Sequence, residues 1–145
     1  MSVQSDCPHR ERLGYAGDAH ASGEAGMSIF DLSSFYEKRA LDYSDAQRPN
    51  GGFTEVAPDV LMADGGLGGR SGPIGWEVFQ PASLMWLYKY YGNTRAIKTH
   101  WPQTKKFVDF LMSNPPGIEG GLGDWMPVER STPAMTGKRR ANTVS

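Results

Sequence analysis

Sixteen residues, "WEVFQPASLMWLYKYY" (Trp76 to Tyr91), constrain this chain more than any others. Trp76, Phe79, Leu84, Met85, Trp86, Leu87, Tyr88, Tyr90 and Tyr91 would cover nearly every face of a helix drawn through them. A helix that is apolar all round has to be buried among other helices. The segment therefore predicts an assembly of packed helices rather than a sheet. Gly92 stands where helices commonly close, and Asn93 can cap the next one.

The flanking sequence extends this reading to an all-α fold. The Ala- and Gly-rich stretch from Asp18 to Met27 predicts a short helix packed closely on a neighbour. Ser28 as cap and Asp31 at the capping-box position predict a second helix to about Gln47. Along it Ile29, Leu32, Phe35, Tyr36, Ala40 and Tyr43 recur at three- and four-residue steps, and "RPNGG" stops it. Asn93 opens a further helix to about Ser113, with a break expected at Pro102. Its inward face is read as Ile97, Trp101, Phe107, Val108, Phe110 and Leu111. Gly-Gly-Leu-Gly occurs at Gly65–Gly68 and at Gly120–Gly123, but no period accompanies it, so it is not a repeat. "GGLGGRSG" lacks the Lys-Ser/Thr ending of a phosphate loop. Residues 137–145 read as a polar tail, with Val144 the one sizeable apolar side chain.

Composition excludes several partners. The 145 residues suffice for one domain. Fifteen Lys plus Arg against 16 acids give a net charge of -1, which argues against a nucleic-acid partner. No apolar run approaches the roughly 20 residues of a membrane helix. "MSVQSDCPHR" contains no secretory-signal core. Cys7 is a lone cysteine and leaves the redox compartment, and with it the localisation, open.

The chemistry is concentrated in "SDCPHRERLGYAGDAH" (Ser5 to His20). Charged clusters commonly form solvated faces or helix caps. Cys7, His9, Asp18 and His20 are possible zinc ligands, but their spacing is not a recurrent zinc pattern. Cys7 beside His9 admits a cysteine nucleophile. The fourth reading is a site for a polyhydroxylated ligand, built from acids, arginines, an aromatic and glycines that permit an unusual backbone course. Trp76 and Trp125 follow Gly-containing loops, where an indole can floor a sugar ring. Trp86 and Trp101 read as core.

"SDCPHRERLGYAGD" resembles the signature of the α-L-rhamnosidases, and "FYEKRALDYSDAQRPNGGFTEVAP", "GPIGWEVFQPASLMWLYKYYGN" and "GLGDWMPVE" resemble later blocks of that family. The resemblance covers residues 1–136. It implies part of an (α/α)6 barrel, the six-hairpin toroid, and a substrate that is a rhamnose-containing oligosaccharide, polysaccharide or glycoside, with no cofactor. Position by position it implies Glu11 as general acid and Asp6 and Asp18 as carboxylates that bind rhamnose hydroxyls. Tyr15, Trp76 and Trp125 match aromatics of the pocket, and Arg10 is a neighbour within the motif. Glu77-Val78 departs from the Gly-Asp common in relatives.

The family is inverting, so a second carboxylate roughly 6.5–9.5 Å from the acid must activate water. Relatives continue past "TPAMTG" to that general base. This chain does not show it, and is expected to be incomplete and inactive alone. The alternative is a non-catalytic carbohydrate-binding or decayed protein that retains only the pocket.

Overall fold

The computed structural model describes residues 3–7, 9–60 and 74–113. Trp125, both Gly-Gly-Leu-Gly loops and the polar tail lie outside the described residues. Among the described residues five helices follow in chain order: α1 (Ala16–Ile29), α2 (Ser33–Asp45), α3 (Ile74–Glu77), α4 (Phe79–Tyr91) and α5 (Thr94–Ser113). Among the described residues extended pairing is limited to one isolated antiparallel bridge, Tyr15 to Val56. The all-α expectation holds.

α4 sits at the centre and packs on α1, α2 and α5. α1 turns Ala16, Ala19, Gly23 and Met27 inward. The small ones, Ala16, Ala19 and Gly23, let α4 approach: a Cβ on Gly23 would meet Trp86 Cζ3 at 2.6 Å. α2 buries Tyr36, Arg39, Ala40 and Tyr43, a three- and four-residue spacing that aligns them on one stripe. Tyr36, Tyr43, Phe79 and Trp86 interlock as tilted and edge-to-face rings, with Tyr36 perpendicular to Trp86 at 6.3 Å. Such pairs add to the stabilisation given by area burial.

α5 docks through Ala96, His100, Phe107 and Phe110. Two of its polar side chains are matched across helices. His100 Nδ1 lies 2.9 Å from Ser44 Oγ, and Thr104 Oγ1 donates to Gln80 Oε1 at 3.0 Å. Gly92 closes α4 in the left-handed region (φ +64°), and Asn93 Oδ1 accepts the Ala96 amide. Both match the reading from sequence.

Four expectations need correction. Ser28 caps nothing, because it lies within the last turn of α1 and donates to Ala25 O. α2 starts at Ser33, whose amide is taken by Asp31 Oδ1. The segment from Trp76 to Tyr91 breaks at Val78 into α3 and α4, and Met85 and Tyr88 remain about half exposed at 59% and 52%. Pro102 does not break α5. It stands on the exposed side, where water can serve the carbonyl it leaves unpaired. Trp101 and Val108, expected inward, are exposed, because the buried stripe of α5 runs through His100, Phe107 and Phe110 instead.

Candidate functional site

The segment before α1 folds back on itself through local hydrogen bonds. The Asp6 amide donates to Leu13 O, and the Leu13 amide donates to Asp6 Oδ1, each at 3.0 Å. The Arg12 amide closes the turn on Cys7 O at 3.2 Å, with Arg12 at φ +58°. That left-handed conformation is uncommon for a residue with a side chain. The turn brings Asp6, Cys7 and Glu11 together, so that one ligating atom from each lies within 4.8 Å of the others.

Past the turn, the chain pairs with residues 55–57. Ala57 N–H donates to Gly14 O at 3.1 Å and Ala16 N–H donates to Glu55 O at 3.0 Å. Gly14 is pressed tightly here: a Cβ would stand 2.3 Å from Ala57 O. Gly17 meets the indole of Trp76 in the same way, with a Cβ 2.7 Å from Cε2. Both glycines serve close approach, which only a residue without a side chain allows.

Tyr15 then caps α1 and Asp18 lies in its first turn, where a carboxylate suits the helix N-terminus. Asp6, Arg10, Glu11, Tyr15 and Asp18 thus share one neighbourhood, and Trp76 joins it through Gly17. The field effects agree. Burial raises the Asp18 carboxyl above its usual range, with the charges of Asp6 and Glu11 adding to it. Burial also raises Tyr15, with Glu55, Asp6, Glu11 and Asp18 adding.

Each acid of the turn has a different surrounding. Desolvation alone would raise Asp6. The Cys7 amide, the nearby Glu11 carboxyl and the Leu13 amide outweigh it and bring Asp6 down to about 2. One oxygen of Glu11 pairs with the exposed guanidinium of Arg10. The other, Oε2, is buried and makes no hydrogen bond of ordinary geometry, although the carboxyl comes close to Asp6. The Cys7 thiol is pushed up to about 11, first by Glu11 and then by Asp6. A thiol held protonated is a poor nucleophile and a poor metal ligand. His9 is exposed, and His20 packs its ring on Trp86 at 5.5 Å. The four zinc candidates therefore do not assemble among the described residues.

Three participants were missed from sequence. Arg39 and Tyr43 of α2 reach the Gly14 carbonyl, Tyr43 Oη at 2.8 Å and Arg39 Nη2 at 3.2 Å. The available signal was an arginine and a tyrosine, four residues apart, inside an apolar stripe. Glu77, the departure from pattern beside Trp76, is fully buried, and neither of its oxygens has a hydrogen bond of ordinary geometry. Burial pushes it up to about 8, with the Phe53 amide working weakly the other way.

The described residues thus form packed helices with a carboxylate cluster on a braced segment ahead of α1. Residues 1–144 match the model of the bacterial alpha-L-rhamnosidase 6 hairpin glycosidase domain, and the chain belongs to that family. An alpha-L-rhamnosidase of Formosa agariphila is 30% identical over 132 residues, covering 86% of this chain and 14% of the relative. One from Streptomyces avermitilis is 32% identical over 137 residues, covering 92% and 13%. The solved alpha-L-rhamnosidase from Dictyoglumus thermophilum superposes with a TM-score of 0.72 at 34% identity, covering 80% of this chain and 13% of that one. The Streptomyces avermitilis enzyme, solved in complex with L-rhamnose, superposes at 0.71 with 30% identity, covering 92% and 13%. The chain thus spans about one-seventh of the length of these relatives.

Proposed function

We propose that this chain supplies the general acid and the sugar-binding carboxylates of an inverting α-L-rhamnosidase. The substrate is a terminal α-L-rhamnosyl residue on an oligosaccharide, polysaccharide or glycoside. The observation that carries the reading is the convergence of Glu11, Asp6, Tyr15 and Asp18 around a turn beside Trp76.

Glu11 gives its proton to the glycosidic oxygen as the bond from the anomeric carbon to that oxygen breaks. Water adds to the opposite face of the sugar and loses a proton to a second carboxylate. Asp6, ionised across the working range, accepts hydrogen bonds from ring hydroxyls, and Asp18 does so from the start of α1. Tyr15 and Trp76 form the aromatic walls, and the family resemblance assigns Trp125 to the same pocket. The second carboxylate is assigned to no residue of this chain, so the chain alone binds the sugar without turning it over.

Titration with L-rhamnose tests the reading. Asp6→Ala and Asp18→Ala each remove a charge-assisted hydrogen bond of about 1.5–3 kcal/mol and weaken binding accordingly. Glu11→Gln still binds. If both alanine variants titrate like the parent, the carboxylates are structural and the pocket lies elsewhere.

A further inference from the structure

We propose that Arg39 and Tyr43 are positioning residues, which set where Glu11, Tyr15 and Asp18 stand by fixing the Gly14 and Ala57 carbonyls. The inference rests on the sugar-site reading of those three residues. The Gly14 carbonyl accepts three donors: Tyr43 Oη at 2.8 Å, the Ala57 amide at 3.1 Å and Arg39 Nη2 at 3.2 Å. Arg39 Nη1 donates to the Ala57 carbonyl, so one guanidinium grips both sides of the paired segment. Gly14 lies three residues after Glu11 and immediately before Tyr15, the cap of α1. Any shift of its carbonyl moves the acid and the sugar-facing end of α1 together.

Stability alone does not account for this arginine. Arg39 is wholly buried, and its contact with Asp42 Oδ2 is long at 3.9 Å. Its guanidinium rests over the rings of Tyr43 and Phe79, at 5.2 and 5.8 Å from their centroids. A buried charge is expensive, and apolar side chains of similar volume often replace one without loss of stability. The guanidinium adds a planar fork whose donors point in fixed directions. That is what locating two carbonyls requires. Gly14 completes the device, because a Cβ there would also stand 3.0 Å from Arg39 Nη1.

The test compares Tyr43→Phe and Arg39→Met with Ala40→Gly, a control that weakens the same helix without touching Gly14. L-Rhamnose affinity and amide hydrogen exchange at Ala57 and Ala16 are measured on the full chain. Tyr43→Phe keeps the ring and loses one hydrogen bond, so affinity falls about fivefold and exchange at Ala57 accelerates. Arg39→Met gives the larger effect on both. Ala40→Gly lowers stability and leaves affinity unchanged. Affinity losses that merely track stability across all three variants would overturn the inference, as would parental affinity and exchange in Tyr43→Phe. Should Arg39→Met fail to fold, Tyr43→Phe still decides. A parent chain that does not bind L-rhamnose defeats the sugar reading instead, and exchange at Ala57 then reports on the brace separately.

Discussion

The indole of Trp76 occupies the space that a side chain on Gly17 would need. A Cβ on Gly17 would stand 2.7 Å from both Cε2 and Nε1 of the ring. α3, which carries Trp76, is four residues long and packs on α1 through this contact. The aromatic wall of the proposed site is therefore located by an absent side chain on the neighbouring helix.

Gly17→Ala should displace Trp76. Within a helix the substitution itself favours folding by roughly 0.5–1 kcal/mol, so a global loss of structure is not the expected result. L-Rhamnose binding should weaken and tryptophan emission should shift. Unchanged affinity would remove Trp76 from the site.

Glu77 should make stability fall as pH rises. Its folded pKa, about 8, lies above the ordinary value of 4.5, so the folded chain binds the extra proton. The stabilisation is complete below about 4.5 and is lost as pH rises through about 8, at up to about 1.4 kcal/mol per pH unit. Urea midpoints at fixed protein concentration, taken from pH 5.5 to 8.5, should fall in the parent relative to Glu77→Gln. Parallel curves would contradict a buried neutral acid.

His100 should act in the opposite direction. Burial lowers its pKa, with Asp45 and Glu37 pulling it upward. The unfolded chain then takes up more protons below about 6.5, so stability present above that pH is lost on acidification. His100→Gln should flatten this acid limb. Retention of the full parental acid response in that variant would assign it to other groups.

Glu11→Gln, tested within a complete six-hairpin domain that carries these residues, should lower hydrolysis of α-L-rhamnosides by roughly 10²–10⁴-fold. The loss should shrink for leaving groups that need little protonation. An equal loss across leaving groups would argue for a structural Glu11.

Trp101, Val108 and Met112 lie on α5 at 58%, 48% and 73% exposure. Exposed apolar surface of this kind promotes association. The chain should self-associate, and Trp101→Lys with Met112→Lys should reduce the apparent mass in light scattering. A parent that is monomeric at high concentration would refute this.

Helix identity was legible because periodicity and caps are local. Gly92 and Asn93 end and begin helices through bonds within a few residues. The acid cluster was legible because it is a contiguous motif. What sequence could not supply was the direction of each face. Trp101 and Val108 have the right residue type for a core, yet the helix rotation set by Phe107 and Phe110 turns them outward. Ser28 has the right chemistry for a cap, yet α1 continues through it and its hydroxyl donates to Ala25 O. Arg39 and Tyr43 were missed for the same reason: their partners Gly14 and Ala57 are 18 to 29 residues away.

That separation has a kinetic consequence. The carbonyl of Gly14 gathers donors from residues 39, 43 and 57, so it is satisfied only after loops of about 25 to 43 residues have closed. Non-local closures of this kind are slow relative to helix formation, since chain entropy is lost before any contact is gained. The helices can form early, but the acid segment is shaped late. A sugar bound there would prefer the fully assembled chain over its partly folded forms, and saturable protection by L-rhamnose would mark the moment at which folding is complete.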